Sequence, residues 1–136
     1  MCTILHSTDL KTRYCESDAL GHINSVSYFI YLEQARVDFL LDNHIIDTLN
    51  NWPFILVSTH CDYKRQIYIN DTIVVNTFVK EIGRSSFTLG HNLVHKESNE
   101  LLAYGEAVIV HFDFDSQMST PIPDEMRGKM EEFLKR

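Results

Sequence analysis

Residues 13–33, RYCESDALGHINSVSYFIYLE, place a carboxylate, a histidine and an asparagine directly before a strongly apolar helical pattern. These polar residues are Asp18, His22 and Asn24, and Gly21 between them lets the chain turn tightly. A carboxylate in this position could act as a general base on water or as a nucleophile. The first N–H groups of a helix lack intrahelical partners and, with the helix dipole, favour negative charge. We therefore expect Asp18 to face the amides that open the helix.

The helix that must hold these residues is predicted over residues 24–43. Apolar residues fall at positions 26, 29, 30, 37, 40 and 41, and further apolar side chains at 28, 31 and 32 widen this stripe. Polar residues at 27, 34 and 38 are expected on the remaining face. Asn24 is a suitable N-cap, and Asn43 followed by His44 suits the far end.

The rest of the chain indicates strands. Four segments rich in β-branched and aromatic residues cover 53–65, 71–83, 85–97 and 100–114, and turn residues at 70–71, 83–84 and 98–99 separate them. These short joints predict an antiparallel meander, with one more strand near residues 7–14. Residues 119–136 read as an exit loop followed by a C-terminal helix. A strand, a long apolar helix and a run of strands predict an α+β fold whose sheet curls around the helix.

Composition limits the function classes. The chain has 136 residues and 44% hydrophobic content, which fits one domain over residues 1–136. Its net charge of −7 argues against a nucleic-acid partner. The three cysteines Cys2, Cys15 and Cys61 are widely spaced, and the N-terminus lacks a signal-peptide pattern. No run of the ~20 apolar residues needed for a membrane span is present. We expect a soluble, cytoplasmic protein with reduced thiols and no membrane insertion.

The histidines raise the question of a metal site. His91 and His95 have the i, i+4 spacing that binds zinc on a helix, but they lie in a strand pattern. At ~3.3 Å per residue they would be about 13 Å apart, too far to share one ion. His60 and Cys61 would point to opposite faces of a strand. We therefore expect neither a catalytic metal nor another cofactor.

The opening stretch also resembles a known family. RYCESDALGHINSVSY is similar to the Asp-x-x-Gly-His-Val-Asn motif of the 4-hydroxybenzoyl-CoA thioesterase-like family, which has the hot-dog fold. The segments YKRQIYINDTIVV, IGRSSFTL, LLAYGEAVIVHFD and PIPDEMR follow in that family's order. Two departures concern the subfamily: Ser25 stands where many relatives have a second asparagine, and Gln66 where proline is usual.

The resemblance implies hydrolysis of an acyl-CoA to free acid and coenzyme A. It implies that Asp18 is the catalytic carboxylate, as general base or nucleophile, and that the backbone N–H near Ser25 is the oxyanion donor. Asn24 and Val26 adjoin that donor. An alkyl thiol with a pKa of ~8.5 can depart without a strong general acid, so one carboxylate can suffice. His22 could orient Asp18, bind water or only fill the loop wall.

Coenzyme A is anionic, so an acidic protein must offer it local cations. The resemblance implies that Arg84 contacts the nucleotide phosphates, with Ser85 as a hydrogen-bond donor; an exposed hairpin arginine is the alternative. Lys64 and Arg65 are a second candidate pair.

The strand segment 57–60, which includes Thr59 and His60, is a candidate acyl pocket wall, and ordinary sheet packing is its alternative. The resemblance also implies a homo-oligomer whose sheets join edge to edge, as a dimer or as a dimer of dimers that forms a homotetramer. Aromatic residues near the start of the helix offer apolar surface that a partner could cover.

Two other functions fit the same residues. A hot-dog dehydratase or hydratase would need a second acid/base group, for which His22 is the near candidate. A non-catalytic acyl-CoA-binding protein would bind the ligand without releasing thiol.

Overall fold

The computed structural model describes residues 5–18 and 20–135, in which a long helix is followed by most of a sheet. The elements in chain order are β1 (His6–Lys11), α1 (Ser25–Asp42), β2 (Phe54–Tyr63), β3 (Thr72–Ile82), β4 (Ser86–His95), β5 (Leu101–Asp113), β6 (Met118–Ser119) and α2 (Asp124–Glu131). All four strands predicted after the helix, the strand before it and the C-terminal helix are present, with ends shifted by a few residues.

The sheet is antiparallel with the order β1-β3-β4-β5-β2, and the two-residue β6 pairs with β5. This curled sheet with one long helix and a short C-terminal helix is the expected α+β hot-dog fold. The predicted four-strand meander is wrong in one respect: only β3, β4 and β5 form it. β2 crosses to the far edge and pairs with β5, so Phe54 lies opposite His111.

Both predicted ends of α1 are confirmed. Asn24 has extended backbone angles, and its side-chain oxygen accepts a hydrogen bond from the N–H of Ser27. At the other end Asn43 is the C-cap, and His44 takes a left-handed conformation with a φ of 55°. The caps fix where α1 begins, and therefore where its unpaired N–H groups lie.

The predicted inner face of α1 is confirmed for positions 28, 31, 32 and 40 and wrong for part of the rest. Its buried hydrophobic residues are Tyr28, Tyr31, Leu32, Ala35, Phe39 and Leu40. Val26 and Ile30, predicted in the apolar stripe, are 67% and 46% exposed, whereas Ser27, predicted on the polar face, is buried. The physical reason is that the bulky residues taken as widening the stripe are the ones that face the sheet.

The helix does not cover the sheet evenly. α1 packs mainly on β1, β3 and β4. Against β5 it makes a close approach at Gly105, where an added Cβ would clash with the Leu32 side chain, so a side chain there would force a shift. The adjacent edge strand β2 keeps Leu56, Val57 and Tyr63 largely exposed. One edge of the sheet therefore presents apolar surface next to the helix.

Two expectations from composition concern thiols and membranes. Cys15 and Cys61 carry free thiols, and Cys2 lies outside the described residues. In the described part of the chain, no helix has the length and hydropathy needed to cross a membrane.

Candidate active site

Asp18 is held by a tight turn. One of its carboxylate oxygens, Oδ1, accepts hydrogen bonds from the N–H groups of Leu20 at 2.8 Å and His22 at 3.1 Å. The N–H of Asp18 donates in turn to the carbonyl of His22 at 2.7 Å. Gly21 has a φ of 82°, a conformation that suits glycine. The turn fixes the carboxylate while leaving the side chain exposed to solvent.

Two residues earlier, Glu16 occupies the opposite environment. Its side chain is buried and accepts hydrogen bonds from the Arg13 guanidinium, the Arg13 N–H and the Tyr31 hydroxyl, the last at 2.7 Å. Burial alone would raise the pKa of Glu16, but the hydrogen bonds from Arg13 and Tyr31 outweigh it and hold that pKa below its ordinary value. We call Arg13, Glu16 and Tyr31 the anchor.

The anchor connects the Asp18 turn to α1. Tyr31 belongs to the helix, and the carbonyl of Glu16 accepts a hydrogen bond from the N–H of Asn24 at 2.8 Å. Ionised Glu16 also raises the pKa of Tyr31, together with burial, which is the larger cause, so the hydroxyl stays a donor. Glu16, two residues before Asp18, is thus tied both to the N-cap of the helix and to Tyr31 within it.

The start of α1 leaves amides free. Among residues 5–18 and 20–135, no protein group accepts a hydrogen bond from the N–H of Ser25 or Val26. The carbonyl of Ser25 accepts one from the Tyr63 hydroxyl at 2.8 Å, which links β2 to this end of the helix. We call Asp18 and the N–H groups of Ser25 and Val26 the rim.

An open cavity of about 940 Å³ lies beside the rim. Asp18, Asn24 and Ser25 all line it, and Tyr28 and Tyr63, whose rings meet edge to face at 4.8 Å, form another part of its wall. The remaining lining residues are Leu20, His22, Ile23, Lys64, Arg65, Gln66, Tyr68 and Glu100. A carboxylate, the residue with the first free helix amide, Ser25, and aromatic surface therefore border one space, which is the arrangement needed to polarise and attack a carbonyl.

His22 lines the same cavity, but its ring packs edge-on against Tyr68 with the centroids 5.0 Å apart. Its contact with Asp18 is made through the backbone. This arrangement favours the loop-wall role among the three roles considered for His22.

The other predicted substrate-binding residues lie apart from the cavity. Arg84 and Ser85 occupy the turn between β3 and β4, whereas the cavity lies near the opposite ends of these strands. Thr59 and His60 lie side by side on β2, paired with Ala107 and with Glu106 of β5, and their side chains alternate between its faces. Within this chain the cations at the cavity are Lys64 and Arg65, the second candidate pair.

Three contributors were missed by sequence reasoning: Glu16, Tyr63 and Tyr68. Glu16 carried a local signal, because Arg13 and Glu16 have the i, i+3 spacing of an ion pair. The tyrosines carried none, since they reach the site only through the placement of β2 and the segment after it.

Metal donors are not grouped at this site. Within residues 5–18 and 20–135, no three or more His, Cys, Asp or Glu side chains are placed to hold a metal ion. His91 and His95 lie on the same strand, β4, where His91 is fully buried and its Nδ1 is 2.9 Å from Thr77 Oγ1.

Comparison with known proteins connects this architecture to a family. The family model described as the thioesterase-like superfamily matches residues 12–130. A long-chain acyl-CoA thioesterase of Escherichia coli, FadM, is 24% identical over 130 residues, which cover 94% of this chain and 98% of that protein.

Solved structures give the same result. A predicted thioesterase from Bacillus stearothermophilus superposes with a TM-score of 0.89 at 26% identity, covering 98% of each chain. A thioesterase from Thermus thermophilus, solved with coenzyme A and zinc, has a TM-score of 0.83 at 26% identity over 96% of this chain and 95% of that one. The matched region holds both the helix and the Asp18 loop, and this chain belongs to the thioesterase-like superfamily of thioester hydrolases.

Proposed function

We propose that this protein is an acyl-CoA thioesterase that uses Asp18 and the first amides of α1. The observation that carries the proposal is that Asp18 and Ser25, whose N–H group is free, border one cavity, with the free N–H group of Val26 next along the helix. The superfamily and the relatives named as acyl-CoA thioesterases support the reaction class.

The chemistry follows from this placement. The thioester oxygen lies at the N–H groups of Ser25 and Val26, where the helix dipole stabilises the oxyanion. Asp18 then either removes a proton from an attacking water or attacks the carbonyl carbon itself to form an anhydride. The C–S bond breaks in either route, and the thiolate leaves as coenzyme A. Water completes the second route by hydrolysing the anhydride.

An oxygen-labelling experiment detects an anhydride that opens at Asp18. In a single turnover in H₂¹⁸O, direct attack by water puts the label only in the released acid, and so does opening of an anhydride at its acyl carbonyl carbon. Opening at the Asp18 carbonyl carbon instead puts the label into the Asp18 carboxylate and releases the acid with an oxygen from Asp18. Mass spectrometry of the peptide containing Asp18 reads the difference.

Coenzyme A needs cations near the cavity, and two sources are consistent with the geometry. Lys64 and Arg65 line the cavity within the chain, and the Arg65 guanidinium lies only 3.7 Å from the exposed carboxylate of Glu100. Arg84 and Ser85 can reach this cavity only from another subunit, because they lie at the other end of the sheet.

A homo-oligomer is part of the proposal. β2 pairs with β5 on one side and is the edge of the sheet on the other. An exposed edge with apolar side chains such as Leu56 and Val57 is suited to pairing with another strand. We propose a dimer through β2, which a second pairing would extend to the homotetramer.

The test is thiol release by the purified protein from acyl-CoAs of short, long and aromatic acyl groups. We expect catalytic release with at least one class, and binding of the matching non-hydrolysable thioether. A protein that binds the thioether but releases no thiol over hours would be a binding protein, and the hydrolase proposal would be rejected. Conversion of an enoyl-CoA without loss of the thioester would instead identify a hydratase.

A further inference from the structure

Arg36 is a buried cation without an adequate partner. Its side chain is 9% exposed, and its nearest carboxylate is Glu33, with Nη2 and Oε2 3.6 Å apart, beyond ordinary hydrogen-bond length. Within residues 5–18 and 20–135, no group accepts a hydrogen bond from the guanidinium. A guanidinium stays charged and carries five donors, so burying it in this state is costly.

The core side of Arg36 supplies no anion. His91 is fully buried, and burial together with Arg36 lowers its pKa to about 3, so the imidazole is neutral. Its Nδ1 is engaged by Thr77, another neutral group. Any carboxylate for Arg36 must therefore come from the outer side of α1.

The outer side of Arg36 opens into a cavity of about 270 Å³ between α1 and β2. Apart from Arg36 and Glu33 the cavity has apolar walls, formed by Val37, Trp52, Phe54, Leu56 and Ile109. Such a lining neither solvates nor neutralises the guanidinium.

Next to this cavity α1 presents a face that its own sheet does not cover. We call it the outer stripe: Val26, Ile30, Glu33 and Val37. Their spacing places them on one side of the helix. Val26 and Ile30 are exposed, and Glu33, with 66% of its side chain exposed, is the one charged residue of the stripe. An apolar helix face with one carboxylate beside a buried arginine is self-complementary in charge.

We propose that a second copy of this chain packs its α1 antiparallel against the outer stripe about a two-fold axis, so that Glu33 of each copy binds Arg36 of the other. This inference rests on the homo-oligomer of the proposed function and specifies its contacts. A two-fold contact is reciprocal, so one pairing satisfies both buried guanidinium groups.

The register supports this arrangement. If residue 33 of one helix faces residue 36 of the other, the axis passes between residues 34 and 35. That point lies about one residue from the middle of α1, Ser25–Asp42, so the two helices overlap along almost their whole length. Ile30 and Val37 of the stripe then lie within the overlap together with the ion pairs, and Val26, which faces position 43 of the other copy, lies at its end. Covering both features at once is what a stable interface between copies requires.

The experiment uses two variants, one with only positive and one with only negative charges at positions 33 and 36. E33R carries two cations at these positions and R36E two carboxylates, so each variant alone brings four like charges together across the axis. We expect each to dimerise at least tenfold more weakly than the wild type, measured by sedimentation. Mixed in equal amounts, the two variants should form a heterodimer with near wild-type affinity, identified by native mass spectrometry.

The mixture distinguishes contacts between chains from contacts within a chain. If Glu33 pairs only with Arg36 of its own chain, each variant is equally defective in the mixture and no heterodimer is gained. The double variant E33R/R36E keeps opposite charges in either case and serves as the folded control. Wild-type affinity of both variants alone, or a wild-type protein that stays monomeric, would also overturn the proposal.

The measurement on E33R alone remains informative if R36E does not fold. E33R changes an exposed position, and we expect it to weaken the dimer by itself, with 1 M salt restoring part of the affinity. E97R makes the same change of charge in the exposed turn between β4 and β5, away from α1, so it is the matched control and should leave the dimer intact. An E33R dimer as tight as the E97R dimer would refute the interface. Because none of these measurements uses thiol release, their failure is distinct from failure of the thioesterase proposal.

Discussion

Glu16 and Asp18 are two residues apart in one loop but lie in opposite environments. In the anchor, Glu16 is buried and its two oxygens receive four hydrogen bonds from Arg13 and Tyr31. In the rim, Asp18 is exposed, and its Oδ1 alone receives hydrogen bonds, from two loop amides. A carboxylate with every lone pair occupied is suited to hold structure, whereas one with a free oxygen beside a cavity can accept a proton or attack a carbonyl. The comparison predicts that activity and stability separate between these regions.

The largest effect is expected from Asp18→Asn in the rim. The amide keeps an oxygen for the N–H groups of Leu20 and His22, so the turn should persist. It loses the base or nucleophile, and we expect thiol release to fall by ~10²- to 10⁴-fold. Steady-state thiol assays and thermal unfolding measured together test this, with the melting temperature nearly unchanged. A rate within twofold of the wild type would end the catalytic assignment.

Ser25→Pro tests the amide rather than a side chain. Proline is tolerated at the first position of a helix, and Asn24 before it has a ψ of 154°, which is compatible with a following proline. The substitution therefore removes the N–H of residue 25 while the helix is retained. We expect a rate loss of ~10²- to 10³-fold with intact helical circular dichroism, as for loss of one oxyanion donor.

Ser25→Ala is the matched control, because it removes the hydroxyl and keeps the N–H. We expect it to retain most of the activity. Equal loss in both variants would show that the side chain at position 25, and not its backbone, matters.

Glu16→Gln, in the anchor, should lower stability more than activity, which is the opposite of Asp18→Asn. It leaves an acceptor for Tyr31 but breaks the charge-assisted pairing with Arg13, and we expect unfolding to become easier by about 1–2 kcal/mol. The value stays low because Arg13 is itself largely exposed. Chemical denaturation measures the loss, and the thiol-release rate should change less than tenfold. A greater rate loss in Glu16→Gln than in Asp18→Asn would reverse the roles of the two carboxylates.

The stability difference between the wild type and Glu16→Gln should also depend on pH. The pKa of Glu16 is lower in the folded state than in the unfolded chain, so its contribution to stability is complete above the unfolded pKa of about 4.3 and is lost as pH falls through the folded pKa. The stability difference between wild type and Glu16→Gln should therefore be constant near neutral pH and shrink below about pH 4. A difference that grows on acidification would contradict this assignment.

Local signals in the sequence predicted the parts of the site that depend on local structure. Asn24 caps α1 as its residue type suggests, and Gly21 adopts the left-handed conformation that a tight turn needs. The predicted strand ends also lie within a few residues of the observed ones. Turn residues such as Asn70 and Asn99, which take left-handed conformations, mark these ends.

Features of the site that depend on the order of the strands in the sheet could not be predicted from these local signals. β2 pairs with β5 rather than β3, and this placement brings Tyr63 to Ser25. The outer stripe of α1 is a second such feature, because apolar spacing placed Val26, Ile30 and Val37 on the predicted buried face whereas Val26 and Ile30 are exposed. Hydrophobic periodicity reports an apolar face but not whether its own sheet or another subunit covers it.

Asn24 lies between the anchor and the rim. Two substitutions of Asn24 should separate an effect on stability from an effect on activity, and both effects should be smaller than those above. Its side-chain oxygen accepts from the N–H of Ser27 at 2.8 Å and from the Ser27 hydroxyl at 2.9 Å. Asn24→Ala removes both acceptors and should cost about 1 kcal/mol in the free energy of unfolding. Asn24→Asp keeps the acceptors and adds a negative charge that the helix dipole favours, so the protein should be as stable as the wild type. That charge lies beside the amides of Ser25 and Val26, where it opposes the oxyanion, and the thiol-release rate should fall several-fold. Denaturation and rates for both variants test the separation; an Asp variant with the full wild-type rate would mean that no negative charge develops at this end of the helix.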